Sequence, residues 1–176
     1  MIGLGEVGYP LYQIIVESRK YEVYGYDINK LKSINSIDDI PKDIDILHIC
    51  YPYRSKRQFI ESSVSYINTF NPKLVIINST VIPGTTLEIY NITRVDIVHS
   101  PVRGIHINMK SHLKFWTKYI GPVNNRSAQK SKEHFEKLGI KVKILRSPLE
   151  TELAKLFETV YRALMIAFWQ EMLVSH

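Results

Sequence analysis

The stretch Gly3-Leu4-Gly5-Glu6-Val7-Gly8 decides the fold, because its glycines have the spacing of a phosphate-binding loop. In such a loop the first glycine permits a tight turn, the second lets the backbone approach a pyrophosphate, and the third allows helix and strand to pack closely. A helix that begins there offers unpaired N–H groups and its positive dipole end to the phosphates. The stretch therefore predicts a dinucleotide site at the start of a βαβ unit.

An acidic residue follows the loop at the spacing that this prediction needs. Asp27 ends the apolar run YEVYGYD at residues 21–27, which we interpret as the second strand, about 20 residues after the loop. A carboxylate there accepts hydrogen bonds from a ribose 2′-hydroxyl and repels a 2′-phosphate. The sequence thus favours NAD over NADP as the cofactor, although the nearby Lys30 and Lys32 weaken the discrimination.

The position of the loop in the chain is unusual. Only Met1 and Ile2 precede it, whereas a strand in a sheet typically has about 5–6 residues. Two explanations stay open: residues further upstream belong to the strand, or the first strand is short. A short strand would weaken the centre of the sheet beside the ligand.

Strand and helix patterns alternate along the rest of the chain. Apolar runs predict further strands over residues 44–50, 74–78, 95–98, 117–120 and 140–145. Helical spacing predicts helices over residues 9–18, 29–34, 55–70, 84–90, 127–138 and 148–173, with Gly139 ending the fifth of them. We expect an α/β fold, a Rossmann-like doubly wound and mainly parallel sheet followed by a long C-terminal helix. The predicted domains are a nucleotide-binding domain, 1–147, and the start of a central or dimerisation domain, 148–176.

Composition narrows the class of protein. The 176 residues are 45% hydrophobic and 23% charged, which is typical of a folded globular protein, and no run of 18 apolar residues predicts a membrane span. A single cysteine excludes an internal disulfide and fits the cytoplasm, and we expect no signal peptide. The net charge of +6 is scattered, which argues against nucleic acid, while a basic surface also suits ligands with several phosphates.

Ligands bind such sheets beyond the carboxyl ends of the strands, so the residues after each predicted strand are site candidates. Cys50 is either a nucleophile or a small buried residue, and the absence of a neighbouring base in the sequence favours burial. Ser79 and Thr80 open a hydroxyl-rich segment that either binds a cofactor or caps the next helix.

The irregular segment 100–114 follows the predicted strand 95–98 and contains further candidates. Arg103 can bind a phosphate or carboxylate with two parallel hydrogen bonds, so we interpret it as a substrate contact. His99, His106 and His112 match no metal-ligand spacing and have no cysteine beside them, so the sequence predicts no metal.

The predicted C-terminal helix is apolar almost all round. A helix of this kind needs to be covered on more than one side. We expect either a partner subunit, giving a homodimer through this helix, or a further domain.

These motifs together resemble the N-terminal part of the UDP-glucose/GDP-mannose dehydrogenases. The resemblance runs in order over nearly the whole chain. It rests on the glycine loop, Asp27, Cys50-Tyr51-Pro52, Ser79-Thr80-Val81-Ile82-Pro83-Gly84-Thr85-Thr86, Ser100-Pro101 and Glu152-Leu153-Ala154-Lys155-Leu156-Phe157. Enzymes of this family oxidise the C6 alcohol of a nucleotide-sugar to a carboxylate with two molecules of NAD.

The resemblance implies roles for individual residues. Thr80 would position a catalytic water, and Lys155 would stabilise the oxyanion that forms during oxidation. The residues that would contact NAD are Gly3, Gly5, Glu6, Val7, Gly8, Asp27, Lys32, Tyr51, Pro52 and Ser79.

The chain departs from the family pattern at three places. Val102 stands where the family has a glutamate, Thr159 stands where it has an asparagine, and the segment with the nucleophilic cysteine has no counterpart in the sequence. Two readings therefore remain: an NAD-binding domain of a nucleotide-sugar dehydrogenase, or a dinucleotide-binding or interaction module without the chemistry. A hydroxyacid dehydrogenase is a third reading, which the threonine-rich segment argues against.

Overall fold

A computed structural model describes residues 1–103 and 108–174 of the chain. The described residues form five strands: β1 (Ile46–Ile49), β2 (Leu74–Ile77), β3 (Ile97–His99), β4 (Lys118–Pro122) and β5 (Val142–Ile144). They also form six α-helices: α1 (Gly8–Ser18), α2 (Lys56–Phe70), α3 (Thr85–Thr93), α4 (Met109–Phe115), α5 (Asn125–Lys137) and α6 (Pro148–Val174). A 3₁₀ turn, Ile37–Asp39, precedes β1.

The five strands lie side by side in the order β1-β2-β3-β4-β5. All neighbours are parallel except β3 and β4, which pair antiparallel at Val98↔Pro122 and His99↔Gly121. The predicted α/β fold with a mainly parallel sheet and a long final helix is confirmed. None of the described helices is long and apolar enough to cross a membrane.

Ile2 extends the sheet beyond β1, because it forms parallel bridges with Ile49 on one side and with Tyr26 on the other. The chain therefore passes from Ile2 outward to Tyr26 and then returns across Ile2 to β1. This reversal of direction is the switch point at which doubly wound sheets bind their ligands. The glycine loop begins there, at the residue directly after Ile2.

The prediction of a second strand over residues 21–27 is wrong except at Tyr26. Tyr26 N–H donates to Met1 O at 2.9 Å and Gly3 N–H donates to Tyr26 O at 2.8 Å, but residues 22–25 have no strand structure. A strand forms only where a neighbouring backbone pairs with it, and in this segment the parallel bridge is at Tyr26, to Ile2. The predicted helix over residues 29–34 is also wrong, since this segment forms turns.

Strands β1 to β4 are buried on both faces of the sheet, as their nearly continuous apolar residues predict, whereas β5 is an exposed edge strand. In β2, Leu74 and Ile76 pack on one face with α1 and α5, while Val75 and Ile77 pack on the other face with α2 and α3. The predicted irregular segment contains helix α4, and its residues 104–107 lie outside the described residues. Gly139 has a φ of 73° just after α5, as its predicted helix-ending role requires.

Candidate functional site

The glycine loop is packed against protein at two of its three glycines and open at the third. Gly3 has a φ of 89°, and a Cβ placed there would lie 2.7 Å from Tyr51 N. A Cβ on Gly8 would lie 1.8 Å from Gly3 O, whereas a Cβ on Gly5 would have no atom within 4 Å. Gly3 and Gly8 therefore make the tight turn and the close packing, and Gly5 leaves room for a ligand to approach the backbone.

The loop leads directly into helix α1. Glu6 and Val7 form the turn before Gly8, the first helical residue, and Val7 provides no side-chain cap for the helix. The start of a helix without a side-chain cap favours an anion through its N–H groups and its dipole. This geometry fits the predicted binding of a pyrophosphate.

Asp27 lies beside the loop, and its carboxylate joins the loop to the turn that follows. Its Oδ2 accepts from Leu4 N–H at 2.7 Å and its Oδ1 accepts from Asn29 N–H at 2.8 Å. Lys32, in the same turn, has an exposed side chain. Since an ionised carboxylate has about four lone-pair sites, Asp27 keeps acceptor capacity for a ligand hydroxyl.

A cavity of about 260 Å³ opens between the glycine loop and helix α2. It brings together four predicted cofactor residues, namely Gly3, Asp27, Tyr51 and Pro52. Its remaining lining comes from Ile2, Ile28, Arg54, Gln58, Phe59, Ser62 and Tyr66. The cavity is slightly smaller than a typical ligand pocket of about 300–1,000 Å³, so it suits one half of a dinucleotide rather than the whole molecule.

The α2 side of this cavity was missed by the sequence reasoning. Gln58, Ser62 and Tyr66 follow one another at intervals of four residues, so they share one face of the helix. This spacing, directly after Tyr51-Pro52, is the signal that could have identified them. The Tyr51 hydroxyl lies 2.8 Å from Ser63 Oγ, and burial raises the pKa of this phenol.

Ser79 and His99 connect the ends of β2 and β3 to the final helix. Ser79 Oγ donates to Tyr51 O at 2.6 Å, and His99 Nε2 lies 3.1 Å from Ser79 O. Because a carbonyl only accepts, His99 Nε2 is the protonated nitrogen, and Nδ1 accepts from Thr151 Oγ1 at 2.8 Å. Burial lowers the pKa of His99 to about 3, which keeps the ring neutral and fixes this tautomer.

Glu152 attaches helix α6 to the start of helix α3. Its buried carboxylate accepts from Gly84 N–H at 2.6 Å, Thr86 N–H at 2.9 Å and Thr86 Oγ1 at 2.7 Å. Thr85 Oγ1 donates to Ile82 O at 2.7 Å. Thr85 and Thr86 therefore have structural roles at the start of α3. Of the two uses that the sequence left open for this hydroxyl-rich segment, cofactor binding or helix capping, these two residues have the second.

The positions of Thr80 and Lys155 are set by these contacts, because each lies close in sequence to a residue that makes one of them. Thr80 is exposed directly after Ser79, and Lys155 lies four residues after Thr151, on the same face of α6. The Lys155 ammonium is 3.7 Å from Glu158 Oε2. Burial lowers the pKa of Lys155, and the Glu158 carboxylate opposes that shift.

Arg103 contacts several protein groups, and its side chain stays 32% exposed. Its Nε lies 3.1 Å from Glu158 Oε1, and its guanidinium stacks over the rings of Trp116 and Tyr119 at 5.3 and 5.9 Å. Arg162 Nη2 lies 3.1 Å from the same Glu158 oxygen. We call Arg103, Lys155, Glu158 and Arg162 the Glu158 cluster: three cations that share one carboxylate.

A buried cluster of polar side chains lies between strands β1 and β4 and helix α5, and sequence reasoning missed it. His48 Nε2 and His134 Nε2 are 3.0 Å apart, and Lys118 Nζ donates to Ser100 O at 2.8 Å. Burial lowers the pKa of Lys118 to about 7 and that of His134 to about 4. Cys50 is buried as expected, and burial raises the pKa of its thiol to about 12.

No cluster of three metal-ligating side chains occurs among the residues with assigned positions. His99 is engaged with Ser79 and Thr151, and His106 lies outside the described residues.

The sequence has relatives among known proteins. No family model matches the sequence. The UDP-N-acetyl-D-mannosamine dehydrogenases of Methanocaldococcus jannaschii and Methanococcus vannielii are each 28% identical to the chain, over 216 and 212 residues. Both alignments cover 97% of the chain and 49% of the relative, so the chain spans about half the length of these relatives.

The chain is similar to the N-terminal domain of nucleotide-sugar dehydrogenases. Solved structures agree on the fold: UDP-D-ManNAc dehydrogenase from Pyrococcus horikoshii has a TM-score of 0.79 at 20% identity, covering 92% of the chain and 49% of that structure. GDP-mannose dehydrogenase from Pseudomonas aeruginosa has a TM-score of 0.77 at 18% identity, covering 97% and 51%. A 3-hydroxyisobutyrate dehydrogenase from Mycobacterium tuberculosis, with a TM-score of 0.72 at 15% identity, shares the same fold.

Proposed function

We propose that the chain is an NAD-binding domain of the nucleotide-sugar dehydrogenase type. The observation that carries this proposal is the cavity in which Gly3, Asp27, Tyr51 and Pro52 meet, because the sequence selects the same four residues independently. The adenosine half of NAD would enter this cavity, with its ribose at Asp27, and the pyrophosphate would lie over Gly5 at the start of α1. When bound, NAD supplies the acceptor for a hydride.

The substrate end of the proposed site lies at Ser79, Thr80 and Lys155. A nucleotide-sugar alcohol placed there would present its oxygen to the Lys155 ammonium, which stabilises negative charge as it develops. The lowered pKa of Lys155 favours this role, since a partly desolvated ammonium interacts strongly with an oxyanion. The Glu152 and Thr151 contacts hold the helix that carries Lys155.

A homodimer through α6 is part of the proposal. The second half of this helix exposes a run of large apolar side chains, among them Phe157, Leu164, Phe168, Trp169 and Leu173. A contiguous run of exposed apolar side chains marks a surface that another protein covers. Sedimentation velocity of the chain tests this directly, with Leu164→Glu expected to shift a dimer to monomer and Glu171→Gln as the control.

We also propose a cytoplasmic location, which the single buried free thiol fits.

Titration calorimetry with NAD tests the binding claim. We expect saturable heat with NAD and weaker binding of NADP, because Asp27 repels a 2′-phosphate. Asp27→Asn keeps the size of the side chain, removes its charge and replaces one of the two oxygens that accept from Leu4 N–H and Asn29 N–H. NAD affinity should therefore fall about 10- to 100-fold, the effect of losing a charged hydrogen bond of about 1.5–3 kcal/mol. Asp38→Asn, an exposed residue in the 3₁₀ turn, is the matched control. No heat at millimolar NAD contradicts the proposal.

A non-catalytic dinucleotide-binding module is the second candidate function. The Glu158 cluster favours it, because one carboxylate engages Arg103, Lys155 and Arg162 at the end of the site where substrate would bind. Val102 and Thr159, which replace residues of the family pattern, point the same way. NADH absorbance on addition of UDP-sugars or GDP-mannose separates the two: NAD binding without NADH formation supports the module.

A further inference from the structure

Helix α6 begins against the antiparallel pair that β3 and β4 form. His99 of β3 and Gly121 of β4 are register partners in this pair. A Cβ on Gly121 would lie 2.4 Å from Thr151 Oγ1 and 2.6 Å from Ser147 O. The start of α6 therefore packs directly on the strand backbone, and the glycine leaves the room that the Thr151 side chain occupies.

Three hydrogen bonds connect this contact to the proposed cofactor site. Thr151 Oγ1 donates to His99 Nδ1 at 2.8 Å, and His99 Nε2 donates to Ser79 O at 3.1 Å. Ser79 Oγ in turn donates to Tyr51 O at 2.6 Å. Tyr51 lines the cavity at Asp27. The three bonds thus join the carboxyl ends of β1, β2 and β3 to the first turn of α6.

Both ring nitrogens of His99 are used inside the protein. The side chain is fully buried, between a carbonyl on one side and a hydroxyl on the other. A neutral imidazole supplies the one donor and the one acceptor that these two groups need. The Thr151 hydroxyl also lies 2.8 Å from Pro148 O, so its single proton is shared between two acceptors. Because the ring is rigid, it fixes the separation between the end of β2 and the start of α6.

Two neighbouring residues attach α6 to different parts of the fold. Glu152 accepts three hydrogen bonds at the start of α3, and Thr151 bonds to His99. The Glu152 carboxylate provides the stronger attachment, because its hydrogen bonds are charge-assisted. The Thr151 bond relates the helix to the end of β2. Lys155 lies one turn after Thr151 on the same face, so its position depends on that bond.

We propose that His99 is a positioning residue, which holds Lys155 in a fixed place relative to Ser79, so that filling of the cofactor site changes the environment of Lys155. The proposal rests on the proposed function, in which Ser79 contacts NAD and Lys155 faces the substrate alcohol. The reacting carbon then lies between the cofactor and the Lys155 ammonium. A misplacement of about 1 Å at such a site is enough to lower a rate about 100-fold.

Thr151→Val and Thr151→Ser are a matched pair of variants that test this role. Valine keeps the shape of threonine and removes the hydroxyl, whereas serine keeps the hydroxyl and removes a buried methyl. Both variants keep the Glu152 contacts that attach α6. Each should lower the melting temperature by about 2–8 °C, since a buried hydrogen bond and a buried methyl contribute similarly to stability. A difference between the variants at His99 or Lys155 is therefore not a general effect of lost stability.

The ¹⁵N resonances of the His99 ring give the first readout, which needs no NAD. The unchanged chain and Thr151→Ser should both show a protonated Nε2 and a hydrogen-bonded Nδ1. In Thr151→Val the Nδ1 resonance should move to the position of an unbonded ring nitrogen. An Nδ1 resonance in Thr151→Val equal to that of the unchanged chain overturns the link between His99 and α6.

The ¹³C resonance of dimethylated Lys155 gives the second readout, with Lys155→Arg for its assignment and the exposed Lys73 as internal control. Without NAD, this resonance should stay in place in Thr151→Ser and move in Thr151→Val. Saturating NAD should shift it equally in the unchanged chain and Thr151→Ser, but less than about half as far in Thr151→Val, because the two sites are then uncoupled. Equal NAD-induced shifts in both variants overturn the proposal.

The same samples distinguish failure of this proposal from failure of the proposed function. If calorimetry detects no NAD binding to the unchanged chain, the proposed function fails. The NAD-free resonances of His99 and Lys155 then still decide whether the ring positions the lysine. If NAD binds and the Lys155 resonance is the same in Thr151→Val as in the unchanged chain, the proposed function stands and the positioning role of His99 is wrong.

Discussion

The cavity at Asp27 and the Glu158 cluster lie near the carboxyl ends of the parallel strands, but they use their polar groups differently. At the cavity, Asp27 is held by two backbone N–H groups and keeps acceptor capacity, and Gly5 faces open space. In the cluster, one carboxylate occupies Arg103, Lys155 and Arg162. The cavity is formed for a ligand before one arrives, whereas the cations of the cluster must exchange an internal partner for a substrate. Cofactor binding is thus the better-prepared half of the proposed function.

Substitutions in the glycine loop should have the largest effects, and they test whether the cavity is formed for a ligand. Gly8→Ala puts a methyl 1.8 Å from Gly3 O, so α1 or the loop must move, and we expect a loss of about 4 kcal/mol or more in unfolding free energy. Gly5→Ala meets no atom within 4 Å, so its stability should change by less than about 0.5 kcal/mol. Its NAD affinity should nevertheless fall at least about tenfold, because the methyl occupies the approach to the backbone. Urea unfolding and calorimetry measure the two effects, and an unchanged NAD affinity in Gly5→Ala would contradict this placement of the pyrophosphate.

Glu152 attaches helix α6, which carries most of the Glu158 cluster, to the start of α3, and its removal should weaken that attachment. Glu152→Ala leaves Gly84 N–H, Thr86 N–H and Thr86 Oγ1 without their shared acceptor, which should cost about 3–4 kcal/mol in unfolding free energy. Glu150→Ala is the matched control, since among the described residues its carboxylate accepts one exposed hydrogen bond, from Arg146 N–H at 3.1 Å, and its loss should cost less than about 1 kcal/mol. Equal losses in the two variants would show that Glu152 does not hold α6.

Acid should destabilise the folded chain, because its buried histidines resist protonation. Burial lowers the pKa of His134 from 6.5 to about 4, so between these values the unfolded chain binds a proton that the folded chain does not. The free energy of unfolding should therefore fall as the pH is lowered from about 6.5 to about 4, by about 3 kcal/mol for this residue. His134→Gln should reduce the pH dependence of urea unfolding in that window by this contribution and leave a remainder, because burial also lowers the pKa of His99 to about 3 and that of His48. A pH dependence in His134→Gln equal to that of the unchanged chain would contradict the contribution of His134.

Glu158→Gln tests the cluster with the smallest effect on stability, about 1 kcal/mol or less, because its partners are partly exposed. Removing the carboxylate that raises the pKa of Lys155 should lower that pKa further. An NMR titration of ¹³C-methylated lysines, with Lys155→Arg for assignment, measures the shift, and NAD affinity should stay within about twofold. Glu61→Gln, which breaks the exposed pair with Arg57, is the control. A large loss of NAD affinity in Glu158→Gln would mean that the two regions are not separate.

Local sequence patterns predicted much of the fold. The alternation of apolar runs and helical spacing found β1 to β5 and most of the helices, since each pattern is set by residues close together in the chain. Residues 21–27 have the same kind of pattern, yet only Tyr26 pairs, because the strand also needs a neighbour at its side. An apolar pattern indicates that a segment is buried, but it does not indicate whether another strand lies beside that segment to pair with it.

The candidate site divides in the same way. Gly3, Asp27, Tyr51 and Pro52 were selected from motif spacing, and the structure brings them together around one cavity. Gln58, Ser62 and Tyr66 complete that cavity from a helix whose place beside the loop depends on the crossover at Ile2. Arg103 was predicted to contact a substrate, but its pairing with Glu158, 55 residues away in sequence, could not be inferred from either neighbourhood.

By itself the sequence determined the glycine loop, its acidic partner and the α/β alternation, because these depend on backbone sterics and side-chain periodicity within a few residues. Only the tertiary structure decided which polar groups remain available. It put Glu152 on the start of α3, His99 between Ser79 and Thr151, and three cations around Glu158. Those contacts join residues distant in the chain, and their strength comes from burial, which exists only once the strands and helices have packed.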